Sequence, residues 1–170
     1  STALGFVKLG LNVAVVEAHQ LSHSEVPDTS SFDSRSTALS YGSRKILEEL
    51  GAWPTMASLV SPISSVHVSQ KGSMGVSRIT AAEMNRPELG YVAPNKLVGA
   101  SLLSALSSYP VTLLSECQLE SYECGETQSS VSVKQAGISL QLLTILLVIA
   151  DGSMSATAGL VGIDYSVLPY

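Results

Sequence analysis

Two short apolar runs in the chain share one grammar. Leu11-Asn12-Val13-Ala14-Val15-Val16 stops at Glu17, and Leu146-Leu147-Val148-Ile149-Ala150 stops at Asp151 and Gly152. Runs this short and continuous suit strands buried on both faces, as in a parallel sheet covered by helices. Ligands of open α/β sheets gather at the carboxyl ends of such strands, which is where both acids stand. Gly152 adds a place where a ligand or another segment can approach the backbone closely. Ahead of the first run, Ser1–Leu9 has the pattern of the latter part of a helix, with Gly10 as its C′ residue. Helix, tight turn and strand together form the second half of a βαβ unit.

Between and beyond these runs the pattern predicts further elements. A helix runs from the Phe32–Ser40 segment through Trp53, with Ile46, Leu47 and Leu50 inside, Glu48 and Glu49 outside, Gly51 closing it and Pro54 preventing continuation. Residues 63–70 and 75–80 alternate as strands joined by Lys71-Gly72-Ser73. After a polar excursion over 81–89, residues 90–95 return the chain. Helical spacing then covers Lys96 through Ser107. Residues 111–114 start a strand beside the first, followed by a strand over 117–122. Residues 129–134 and 138–143 form a hairpin turning at Gln135-Ala136-Gly137, and a helix opens after Gly152. The fold class is therefore α/β: a Rossmann-like, incomplete dinucleotide-binding sheet carrying an inserted β-rich portion.

Composition narrows the partners. A length of 170 residues with 45% hydrophobic and 14% charged residues is that of a globular domain, not a disordered chain. A net charge of −5 leaves no basic footprint, so no nucleic-acid partner is expected. Cys117 and Cys124 fit neither a zinc site nor a disulfide framework and read as reduced thiols. His19 and His23, four apart in a Ser-rich loop with no third ligand, read as surface histidines, and no metal is expected. His67 lies alone in a strand, where a structural role is the commoner one. The greasy stretch from Ile138 to Ala150 is broken by Ser139, Gln141 and Thr144 and is too short to span a bilayer.

Glu17 and Arg35 are the first candidates for chemistry. An acid at the end of the second strand of a dinucleotide-binding unit accepts hydrogen bonds from a ribose, but a solvated strand end looks the same, and spacing alone does not choose. Arg35 stands among small hydroxyl residues. Its guanidinium suits a phosphate or a carbonyl-rich ring, or else an exposed salt bridge.

Four segments, in order, resemble the FAD-dependent aromatic-ring monooxygenases with the para-hydroxybenzoate hydroxylase fold. Val15-Val16-Glu17-Ala18 is similar to the family's second strand and its ribose-binding acid. Phe32-Asp33-Ser34-Arg35-Ser36-Thr37-Ala38-Leu39 resembles the segment whose arginine meets the flavin. Tyr91-Val92-Ala93-Pro94-Asn95-Lys96 resembles the one whose amide, Asn95, lies near the flavin. Ala150-Asp151-Gly152-Ser153-Met154-Ser155 resembles the family's A-D-G-x-x-S motif. Within the family the closest likeness is to the 2-polyprenyl-6-methoxyphenol hydroxylases of ubiquinone biosynthesis. The chain departs from the pattern in having no GxGxxG turn, and in carrying Ala158 where many relatives have an arginine.

The resemblance implies that residues 1–53 and 96–170 are a partial FAD-binding domain and that 54–95 begin the substrate-domain sheet. It implies cofactor-binding roles for Glu17, Arg35, Asn95, Asp151 and Gly152, with no residue acting as a chemical catalyst. The implied activity is O₂-dependent hydroxylation of a polyprenyl phenol, with FAD as cofactor and NAD(P)H as co-substrate. A greasy substrate implies a cytoplasmic protein at the periphery of the inner membrane or within a ubiquinone-biosynthesis complex. The chain reads as an internal fragment, inactive alone, whose uncovered sheet edges favour self-association. Two alternatives from other classes are a flavin reductase or oxidase sharing only the FAD domain, and a non-catalytic dinucleotide-binding module.

Overall fold

A computed structural model describes residues 1–21, 35–72, 75–152 and 155–163. The expectations for His23, for Phe32-Asp33-Ser34 and for Ser153-Met154 lie outside the described residues. In chain order the elements are α1 (Thr2–Lys8), β1 (Ala14–Val16), β2 (Ser36–Ser40), α2 (Tyr41–Glu49), α3 (Trp53–Met56), a 3₁₀ turn (Ala57–Leu59), β3 (Ser61–Ile63), β4 (Ser65–Ser69), β5 (Val76–Thr80), β6 (Gly90–Pro94), α4 (Asn95–Leu106), β7 (Thr112–Leu114), β8 (Cys117–Glu123), β9 (Ser129–Gln135), β10 (Ile138–Thr144) and α5 (Ala156–Leu160). They fall into two compact units. One comprises Ser1–Val13 and Ser22–Val111, the other Ala14–Leu21 and Thr112–Tyr170.

In the first unit β6 is the centre of an antiparallel sheet, with β2 on one side and β3 on the other. The core beneath holds Leu47, Ala52, Trp53, Met56, Ala93 and Leu97, with Leu39 and Tyr91 packed against it. Gly90 sits where β6 meets the end of β2, and a Cβ there would lie 2.3 Å from the Leu39 carbonyl oxygen, so only glycine allows the approach. Ser40 ends β2 and caps α2, its hydroxyl accepting from the Ser43 N–H at 3.0 Å. At the other end Gly51 takes φ +80, with Gly51 N–H bonded to Glu48 O and Ala52 N–H to Leu47 O. That paired closure is a Schellman motif, and it ends α2 before Trp53. The single helix expected through Trp53 is therefore two, with Pro54 in the first turn of α3, where its missing N–H costs nothing.

The inner face of α2 also differs from the expectation. Leu47 is buried, but Ile46 is 57% exposed. The guanidinium of Arg44, one turn from Leu47 on the same face, lies over the Trp53 ring instead, 5.5 Å from its centroid. The pattern of Ser36-Thr37-Ala38-Leu39-Ser40 does not predict a strand, and β2 exists because β6 supplies its ladder. β4 and β5 pair antiparallel from Ser65↔Thr80 to Ser69↔Val76, as the alternation predicts.

In the second unit β1 and β7 pair in parallel, Ala14↔Thr112 through Val16↔Leu114, as expected for a strand laid beside the first. β8, β9 and β10 form an antiparallel sheet with β9 central. Cys117, Val131 and Val133 are its buried core. β9 and β10 meet across Gln135↔Ile138, and Ala136 and Gly137 both take positive φ, 49° and 84°. Two left-handed residues in a two-residue loop define a type I′ turn, whose twist matches that of the strands.

The strand expected over Leu146–Asp151 does not form. No ladder engages these residues, and Ile145, Leu146 and Val148 are 78%, 59% and 45% exposed. Leu147 and Ile149 are half-buried, and Leu147 packs on the β8–β9 core. The run is thus covered on one face only. An apolar sequence makes a strand only where a neighbour pairs with its backbone.

Candidate functional site

Arg35 and Asn95, sixty residues apart in sequence, meet in the first unit. The antiparallel register sets Ser36 against Pro94 and Thr37 against Ala93, so the start of β2 abuts the start of α4. The Asn95 N–H donates to the Arg35 carbonyl at 3.0 Å. The Thr37 hydroxyl donates to Asn95 Oδ1 at 2.5 Å, which fixes the amide and orients its NH₂ group. Arg35 is exposed and Asn95 half-buried, so the two residues meet through their backbones at one accessible corner. Both side chains carry N–H donors, the chemistry that suits a ligand edge rich in carbonyl oxygen. Thr37 is the residue that sequence reasoning missed. Only the cross-strand register reveals it.

Glu17 lies one residue past β1 in the second unit. Its N–H donates to Leu114 O at 2.9 Å and its carbonyl accepts from Cys117 N–H at 3.0 Å, so the backbone is fixed on both sides. Carboxylate Oε1 accepts from the His19 N–H at 3.0 Å and lies 3.0 Å from His19 Nδ1. The His19 N–H chiefly holds the Glu17 carboxyl below its ordinary range, aided by the imidazole, while partial burial pushes the other way. The group is an ionised acceptor with 40% of its side chain exposed, able to take hydrogen bonds from a diol. His19, read from sequence as a surface histidine, is 91% exposed in its side chain, and it serves as the partner of Glu17.

Asp151 and Gly152 precede α5. The Ser155 hydroxyl, then that of Thr157, donate to the Asp151 carboxylate and hold it below the ordinary range. Ser155 Oγ also accepts from Ala158 N–H at 2.9 Å as the cap of α5. The acid therefore braces the helix start through two hydroxyls. Gly152 takes φ +96 with nothing within 4 Å of a Cβ position, a left-handed turn open to its surroundings. Cys117 is buried, which pushes its thiol up, and Cys124 is exposed; both are free thiols. Among the described residues no helix is long and apolar enough to cross a membrane, and no cluster of three or more metal-ligating side chains is present.

No protein-family model matches the chain. The uncharacterized protein slr1300 of Synechocystis sp. is 28% identical over 164 residues, covering 95% of this chain and 38% of the relative. Among solved structures, the flavin-dependent monooxygenase PieE, in complex with FAD and substrate, aligns with a TM-score of 0.73 at 18% identity. That match covers 94% of this chain and 29% of PieE. The p-nitrophenol 4-monooxygenase PnpA of Pseudomonas putida aligns with a TM-score of 0.74 at 17% identity, over 95% of this chain and 40% of PnpA. The chain thus has the mixed α/β fold of part of the flavin-dependent monooxygenases, and it spans well under half the length of the proteins it matches.

Proposed function

We propose that the chain is the FAD-binding portion of a flavin-dependent aromatic hydroxylase, with residues 54–95 beginning its substrate-side sheet. The observation that carries this reading is the corner where Arg35 and Asn95 meet, because both belong to segments that resemble flavin-contacting ones. The residues present fit FAD by their chemistry. Arg35 and the Asn95 NH₂ group supply donors for the carbonyl edge of a flavin ring, with Thr37 setting the amide's orientation. Glu17, ionised and backbone-anchored, accepts from a ribose diol. Gly152 lets a phosphate-bearing chain pass close to the backbone, and Asp151 stiffens the turn beside it.

Bound flavin would supply the redox chemistry, taking electrons from NAD(P)H and using O₂ to hydroxylate a phenol ring. The chain's own residues bind and orient; none moves a proton on the substrate. The finer reading keeps a polyprenyl phenol as substrate, in ubiquinone biosynthesis at the inner-membrane periphery, and leaves this chain without turnover by itself. FAD titration followed by fluorescence anisotropy tests the site. Saturable binding that weakens about tenfold or more in Arg35→Ala is expected, a loss of about 1.4 kcal/mol or more. Absence of saturable binding, or equal affinity in the variant, overturns it.

A further inference from the structure

Away from the Arg35–Asn95 corner, at the other end of β2, three cationic side chains converge on a single ring. The Arg86 guanidinium lies 5.2 Å from the Tyr41 ring centroid, the Lys45 ammonium 5.3 Å and the Arg44 guanidinium 5.8 Å. Each is within cation–π range, but one ring quadrupole cannot neutralise three charges. The chain as a whole carries −5, so this concentration of positive charge is local.

The backbone builds the cluster from two segments. Arg44 and Lys45 lie on α2. Arg86 is delivered by the 81–89 loop, where Arg86 N–H bonds to Ala81 O and Asn85 N–H to Ala82 O, with Asn85 at φ +51. Tyr41 N–H bonds to Leu89 O at 3.2 Å and ties the loop to the start of α2. The loop's own acids take hydrogen bonds from other groups. Glu83 accepts from the Thr80 N–H and hydroxyl, both at 2.8 Å, and Glu88 accepts from the Tyr91 hydroxyl at 2.7 Å. Glu48 pairs with Arg44 at 3.2 Å. Among the described residues neither Lys45 nor Arg86 has a carboxylate within ion-pair distance, and both are exposed.

We infer that this cluster is a binding site for a phosphomonoester carried by a small molecule. Three cations set against the carboxylates of Glu48 and Glu88 leave one net positive charge, which favours the roughly −1.5 to −2 of a phosphomonoester at neutral pH. The two guanidiniums provide planar forks suited to phosphate oxygens, and the lysine a point charge. Like charges held around one ring repel each other, and a bound dianion removes that repulsion. The site is separate from the proposed flavin corner. β2 spans five residues, so the two lie about 17 Å apart along the strand.

A built-in reporter makes the site testable. The chain has one tryptophan, Trp53, and Arg44 lies 5.5 Å over its ring. Trp53 emission of the full chain is titrated with inorganic phosphate and with 5′-AMP, against adenosine and against NaCl at matched ionic strength. Saturable change with phosphate and 5′-AMP alone is expected, weakened about threefold to fivefold in each of Lys45→Gln and Arg86→Gln, since exposed ion pairs contribute modestly. Lys45 is exposed on α2, and an unaltered ligand-free Trp53 spectrum in its variant shows that packing is intact. Equal responses to NaCl and phosphate mean charge screening only and overturn the site. So does adenosine acting as strongly as 5′-AMP, or phosphate affinity unmoved in both variants. None of these outcomes depends on FAD, so failure here leaves the flavin reading standing.

Discussion

The segments ending at Glu17 and at Asp151 differ in what surrounds them. β1 pairs with β7 along its whole length, and the pairing continues past it, through Glu17 N–H to Leu114 O and Cys117 N–H to Glu17 O. Residues 146–150 have no ladder, turn Leu147 and Ile149 inward and leave Leu146 and Val148 to solvent. The acids at the two ends are held differently too. Glu17 is held first by the main chain of His19, whereas Asp151 is held first by the hydroxyls of Ser155 and Thr157, with main-chain N–H groups adding less. A main-chain grip survives side-chain substitution, whereas a hydroxyl grip is lost with the hydroxyl, so Glu17 keeps the larger share of its support when neighbouring side chains change.

The largest expected effect breaks the backbone difference directly. Val15→Pro puts a residue without an N–H into the β1–β7 pairing and should destabilise the fold by about 1–3 kcal/mol, the cost of leaving a ladder acceptor unpaired. Val148→Pro, in a run without a ladder, should stay within about 0.5 kcal/mol. Urea unfolding of both variants checks this, and equal losses would mean that residues 146–150 are paired after all. Next in size is ligand binding. Glu17→Gln should weaken FAD by about tenfold, as expected for losing a hydrogen bond to a charged group. Asp151→Asn, at an acid that braces a helix start, should weaken it less. An FAD titration in which the order reverses would make Asp151 the principal acceptor.

The smallest effects are in titration. Both carboxyls have folded pKa values below their ordinary ones. Each therefore contributes stability that is present above the ordinary carboxylate range and lost as pH falls through the depressed value. His19→Ala removes the imidazole and keeps the N–H, so the Glu17 depression should shrink without vanishing. Ser155→Ala removes the leading cause at Asp151, so that depression should fall by the larger share. The same variant should cost about 1 kcal/mol through the lost cap. Carboxyl ¹³C NMR against pH reads both groups, and equal changes would erase the distinction.

The legible parts of the fold are those in which local pattern and pairing agree. The β9–β10 hairpin follows from alternation around a turn whose glycine tolerates positive φ, and the β4–β5 pair follows in the same way. The pairing of β7 with β1 agrees with the reading of residues 111–114 as a short apolar strand beside the first. Other features depend on neighbours far along the chain. β2 carries few apolar residues and owes its existence to β6. The contact of Arg35 with Asn95 depends on the β2–β6 register, which no local spacing encodes, although each residue was marked separately by its own segment. Ile46 is exposed while Arg44 covers Trp53, because a guanidinium can stack on an indole and pair with Glu48 at the same time.

The parallel pairing of β1 with β7 has a consequence for synthesis. Ala14 meets Thr112, its partner 98 positions later in the chain. At ribosomal rates of about 5–20 residues per second, that partner emerges roughly 5–20 s after β1. Throughout that interval Val13, Val15 and their neighbours have no strand to pair with, while all the elements of the first unit from β2 to α4 are made. The second unit cannot close until the nascent chain has passed through the whole of the first, so the order of folding is written into the order of translation.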